Sequence, residues 1–191
     1  ANADGGWGDT PDSPSNLSTT LLCWAALALI PPEHAAGAET VRAAEKWLVA
    51  RTGGVQPEIL APAILHAYGK DRTFAVPILT FCALAGRLGP EPLAWTWVPA
   101  LPFELAALPP RLFKWLGLPV VSYAIPALIA MGLVRHERGP RNLSLLRGLR
   151  NRLRHRLLTR LAISQPASGG FLEAIPLTGF VVMALARARL S

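Results

Sequence analysis

Asp4-Gly5-Gly6-Trp7-Gly8 stands near the start of the chain, and its centre returns as Gly53-Gly54-Val55 and as Gly169-Gly170-Phe171. Each copy is followed within a few residues by an apolar stretch of helical length. A recurring unit of this kind decides a fold before any single residue can. Paired glycines end a helix and turn the chain, because glycine tolerates the left-handed conformation that a helix stop requires. The bulky residue after them can then plug the junction between helices. The expected fold is all-α, a stack of helical hairpins.

Composition agrees. The 191 residues are 51% hydrophobic and only 16% charged, enough for a sizeable core and unlike a disordered chain. Ala, Leu and Arg dominate, and strand-like alternation of β-branched residues is scarce. Cys23 and Cys82 sit inside apolar helical runs without metal-ligand spacing and read as buried free thiols. His34, His66, His136 and His155 are scattered, so no zinc site is expected. No Ser-His-Asp constellation, phosphate loop or secretory signal is visible, and no metal or organic cofactor is implied.

The hydrophobic pattern divides the chain into successive helices. The first starts near Ser15 or Asn16 and runs to Ile30, where Pro31-Pro32 stops it. An amphipathic helix follows over Ala38 to Arg51, then an uncharged one over Ile59 to Tyr68. A fourth begins near Thr73 and ends at Arg87-Leu88-Gly89. Pro62 and Pro77 fall early in the third and fourth, where a missing donor is best tolerated. Residues 90–117 are proline-broken and aromatic, with Trp95, Trp97, Phe103, Phe113 and Trp115, and read as a loop holding one or two short helices. Leu118 to Val134 is a 17-residue uncharged run, short of the ~20 that a membrane span needs. Helices over Leu143 to Ile163 and Pro176 to Arg189 complete the pattern. Charged amphipathic helices alternate with nearly uncharged ones, as outer and inner layers of an α/α barrel would, or of part of one.

Three ordered stretches resemble squalene–hopene cyclases and related class II terpene cyclases. The first is Asp4-Gly5-Gly6-Trp7-Gly8 with Leu17-Ser18-Thr19-Thr20. The second is Trp95-Thr96-Trp97-Val98-Pro99-Ala100-Leu101-Pro102-Phe103-Glu104. The third is Gln165-Pro166-Ala167-Ser168-Gly169-Gly170-Phe171, which keeps the Gln and the aromatic of the family repeat. The resemblance implies an α/α toroid, here an incomplete barrel. Residues 1–134 would be cyclase-like repeats, 135–164 a basic amphipathic insert, and 165–191 a further repeat. It also implies a peripheral, monotopic enzyme of triterpenoid (hopanoid) biosynthesis on the cytoplasmic side of a membrane. Such an enzyme folds a polyprenoid such as squalene in an aromatic-lined cavity. Because the chain starts inside a repeat, it reads as a portion of something longer, whose apolar inner helices would favour self-association into a homo-oligomer.

Departures from the family matter for mechanism. Cyclisation begins with protonation by an Asp-x-Asp-Asp acid, and this chain has no such motif. Asp9-Thr10-Pro11-Asp12 has the wrong spacing, and Leu22 stands where hopene cyclases carry glutamate. No catalytic residue is therefore expected in this segment. Trp95, Trp97, Phe103 and Tyr123 are the candidate cavity aromatics, since ring faces stabilise carbocations. Core packing is the competing reading, level with the cavity role for Trp95 and favoured for the others. Glu104 and Glu173 read as carboxylates near helix starts. The alternative function is a non-catalytic toroid that binds a lipid or a protein.

Charge is unevenly placed. From Arg138 to Ser191 there are ten arginines and one acid, Glu173, whereas nine basic residues face eleven acids before that. Leu146, Leu149, Leu153, Leu157 and Leu161 form a stripe at spacings of three, four, four and four. Arg147, Arg150 and Arg154 are the candidate contacts with an anionic membrane surface. A solvated outer helix in an arginine-rich chain is the plain alternative. Nucleic acid is not expected, because aromatics are not interleaved and no DNA-binding motif is present.

Overall fold

The computed structural model describes residues 1–31, 38–108, 125–141, 145–171 and 174–188. Asn16 fixes the start of α1 (Leu17–Leu27): its backbone is extended and its Oδ1 accepts the Thr19 N–H at 2.9 Å. Asp71 caps α4 (Arg72–Leu84) in the same way, accepting the Thr73 N–H at 2.8 Å. Between them lie α2 (Ala38–Thr52) and α3 (Pro57–Tyr68), the latter opening on a proline whose missing donor is an orphan at that position anyway. Two 3₁₀ turns follow, Leu93–Thr96 and Phe103–Ala107, where one or two short helices are expected. Then come α5 (Ile125–Arg138), α6 (Leu145–Ile163) and α7 (Ile175–Arg187). Among the described residues there is no strand, and the fold is all-α. Pro62 and Pro77 lie inside α3 and α4 rather than in their first turns.

The glycine pairs do what their sequence requires. Gly5, Gly53 and Gly169 have φ of 87°, 93° and 80°, a region other residues rarely enter. The first and third copies share a further device. The Trp7 N–H donates to Thr20 Oγ1 at 2.9 Å, and the Phe171 N–H donates to Thr178 Oγ1 at 2.9 Å. Each threonine is the fourth residue of the helix that follows. The turns before them match as well: Gly5 donates to the Asn2 carbonyl and Gly169 to the Pro166 carbonyl, both at 2.9 Å. The middle copy departs, because Leu60 occupies the fourth position of α3 and offers no acceptor. There Thr52 Oγ1 instead donates to the Gly54 carbonyl at 2.7 Å.

Packing divides the chain into two compact units, Ala1–Val98 and Pro99–Ser191. In the first, α1 packs on α2 and α4, and α3 packs on α4. Leu21, Trp24, Leu48, Leu60, Ile64, Val76 and Leu79 fill its core, each buried side chain worth about 1.5–3 kcal/mol against exposure. The charged α2 buries only Ala44 and Leu48, whereas α4, uncharged after Arg72, is buried almost all round from Ala75 to Ala83. The helix α3, uncharged after Glu58, is not enclosed: Pro62, His66 and Ala67 are exposed. In the second unit, α5 packs on α6, α7 and the 3₁₀ turn at Phe103–Ala107. Its core holds Phe103, Ile129, Leu133, Leu157, Leu161, Phe171 and Val181. This partition by packing differs from the partition 1–134, 135–164 and 165–191 drawn from sequence. The basic helix is built into the second unit, because its leucines and arginines meet α5 and the 3₁₀ turn.

Candidate functional site

Trp95 sits on the first 3₁₀ turn and is fully buried, with Nε1 donating to Glu91 Oε1 at 3.2 Å. Trp97, two residues on, is half-buried. Phe103 belongs to the second unit and is also fully enclosed. It packs so closely on α5 that a Cβ on Gly132 would come within 2.4 Å of the ring. The Arg150 guanidinium lies 4.9 Å from its centroid, and the His136 ring is 5.9 Å away. Trp95 and Phe103 are therefore buried core side chains. Tyr123, with Phe113, Trp115 and Glu173, lies outside the described residues. Two hollows are a depression of about 390 Å³ beside Ala1–Gly5 and α2, and an apolar groove of about 210 Å³ between α6 and α7. None of the three described candidate aromatics lines either.

The arginine-rich helix is directed by acids from neighbouring elements. Glu104 grips Arg150 with both oxygens, Oε2 to Nε at 2.9 Å and Oε1 to Nη2 at 3.2 Å, and both side chains are less than 15% exposed. Arg154 pairs with Glu137 at 3.2 Å. Arg160 donates to the Ala106 and Leu108 carbonyls at 2.7 and 2.6 Å, which closes the end of the 3₁₀ turn. Arg147 is half-buried and engaged. Of the residues assigned from sequence to a membrane surface, Arg150 and Arg154 thus face the protein. The reason is electrostatic: a half-buried carboxylate such as Glu104 must be paired, and α6 supplies the cation. The leucine stripe splits too, with Leu157 and Leu161 buried and Leu146 and Leu149 exposed.

The described acids whose ionisation is perturbed are all held as anions. Ser15 and the Gly6 N–H keep the Asp4 carboxyl below its usual range, with help from Trp47. Asp9 is lowered by Thr19 and Asn16, and Asp71 by Thr73. A proton donor to an alkene needs the opposite environment. The Asp9-Thr10-Pro11-Asp12 cluster is accordingly a helix-capping device, since Asp9 Oδ1 accepts from Asn16 Nδ2 at 2.9 Å and from Thr19 Oγ1 at 2.5 Å. Burial pushes the Cys82 thiol up to about 12, which keeps it an unreactive neutral thiol. Among the described residues no group of three or more His, Cys, Asp or Glu is placed to hold a metal.

Sequence reasoning missed a cluster in the first unit. The Arg87 guanidinium lies 4.0 Å from the Trp24 ring centroid and donates to the Trp24 carbonyl at 3.1 Å. Glu45 accepts from Trp24 Nε1 at 3.0 Å and pairs with Arg87 at 3.8 Å. The three come from α1, α2 and the segment after α4, and no local spacing announces them. Asp4 Oδ2 likewise accepts from Trp47 Nε1 at 2.9 Å across 43 residues. No family model, no curated protein and no solved structure matches this chain.

Proposed function

We propose that this chain forms wall segments of an α/α toroid in a squalene–hopene-cyclase-like terpene cyclase. The observation that carries the reading is the shared device of the first and third glycine pairs. A left-handed glycine, an aromatic N–H and a threonine at the fourth helical position recur in one register. A tandem repeat would produce that recurrence, and the resemblance of the same stretches to the cyclase repeat gives it a family. In this reading the parent converts a linear triterpene such as squalene to a polycycle at a membrane surface. The segment contributes structure, and its perturbed carboxylates are held as anions with no proton to start the reaction. No described helix is long and apolar enough to cross a membrane, so the proposed attachment is peripheral.

The test is squalene turnover by the complete polypeptide that carries this sequence, in detergent, with products identified by mass. A polycyclic isomer of squalene, or its hydrate, is expected. A folded protein that yields neither overturns the cyclase reading. One observation favours a second reading, a non-catalytic toroid that binds a lipid or a protein. Trp95 and Phe103 are fully buried and line neither of the two hollows described. Saturable lipid binding without turnover would select it.

A further inference from the structure

Six residues of α6 form one line on the side facing away from its ion pairs: Leu145, Leu149, Arg152, Arg156, Thr159 and Ile163. Their spacings are four, three, four, three and four, which keeps them on one face of a helix. All six are exposed, Leu145 at 98% and Ile163 at 79%. Arg150, Arg154 and Arg160 are directed to Glu104, Glu137 and backbone carbonyls, whereas Arg152 and Arg156 make no ion pair among the described residues. Residues 145–171 contain no acid. The helix therefore presents two unneutralised guanidinium groups flanked by bare aliphatic side chains.

We infer that this face lies on a bilayer of anionic lipid. The partner must offer negative charge opposite Arg152 and Arg156 and an apolar phase for Leu145, Leu149 and Ile163. The headgroup boundary of such a bilayer offers both at once. A second copy of the face does not complement it, because parallel and antiparallel pairing both set arginine against arginine. A nucleic acid would meet the arginines but would leave the aliphatic ends against hydrated phosphates. The proposal refines the membrane-facing part of the reading above, yet it stands on this helix alone. Vesicle binding and squalene turnover can succeed or fail independently.

The experiment is co-sedimentation of the protein with phosphatidylcholine vesicles, with and without phosphatidylglycerol, at low and high salt. Binding is expected to require the anionic lipid and to fall as salt shortens the screening length. The pair Arg152→Gln/Arg156→Gln should weaken it by about 30-fold, from the per-residue contribution of basic groups near such a surface. Leu145→Ser/Leu149→Ser should weaken it at unchanged charge. Circular dichroism identical to the parent shows that both variants fold, as expected for side chains without intramolecular ion pairs. Equal binding to neutral vesicles overturns the inference, as does full binding by either variant or no binding at all. So does a concentration-dependent dimer that either variant abolishes, which would assign the face to a second copy.

Discussion

Thr20 shows how much one hydroxyl can carry. It is fully buried, and its Oγ1 accepts the Trp7 N–H while lying 3.3 Å from the Trp7 carbonyl. Valine has nearly the same shape but cannot accept. Thr20→Val is expected to destabilise the first unit by about 1–3 kcal/mol, the cost of an unpaired buried donor. Thr178→Val should destabilise the second unit in the same direction but by less, because Thr178 is half-buried and water can replace the acceptor that the Phe171 N–H loses. Urea titration of each variant checks this, and no cost at Thr20 would show that its hydroxyl does not hold the turn. The glycine pairs were legible in sequence because a positive φ restricts residue type. The threonines were not singled out as acceptors, although their shared place in the following helix was there to be counted.

At the scale of elements, α6 is held by charge as much as by leucine. Arg150 is surrounded by Glu104, the Leu101 carbonyl and the Phe103 ring. Arg150→Met keeps the aliphatic stem but strands Glu104, which is 13% exposed. A loss of about 3 kcal/mol is expected from the uncompensated carboxylate. Adding Glu104→Leu should recover most of it, since an apolar pair of similar volume avoids the unpaired charge. A double-mutant cycle by thermal or urea unfolding measures the coupling, and no recovery in the double variant would show that packing of the stem dominates. Helix positions were largely readable: Asn16 caps α1 as expected, while α3 and α4 start at Pro57 and Arg72, just ahead of the Ile59 and Thr73 expected from sequence. The direction in which α6 presents its arginines was not readable, because six arginines and seven leucines are spread over all its faces and leave few other positions to mark one.

Across the whole molecule, the two units answer to acid in different windows. His136 in the second unit is lowered below its usual 6.5 by burial first and by Arg147 and Arg150, against the raising effect of its bond to Asn151. Arg135 and Glu137 flank it on α5, while Glu104 pairs with Arg150. A lowered histidine favours the neutral form in the folded state. Its contribution is full above pH 6.5 and is lost as pH falls through the depressed folded value. Asp4 and Asp9 in the first unit are depressed from 3.8, so their contribution is present above 3.8 and is lost only below it. Between pH 6.5 and 3.8, of these perturbed groups, the His136 contribution alone should decline. Urea midpoints measured from pH 8 to 3, for the parent and for His136→Gln, test the assignment. In the variant the decline from pH 6.5 downward should flatten, while the loss below 3.8 remains.

The sequence by itself determined the all-α class, the positions of the turns and most helix boundaries, because caps, prolines and left-handed glycines act over a few residues. Only the tertiary structure decided that Trp95 and Phe103 are fully buried and that Arg150 and Arg154 turn inward. It alone joined Arg87, Trp24 and Glu45. Those outcomes depend on which groups from distant segments must be paired or kept dry, and that demand exists only once the helices have met.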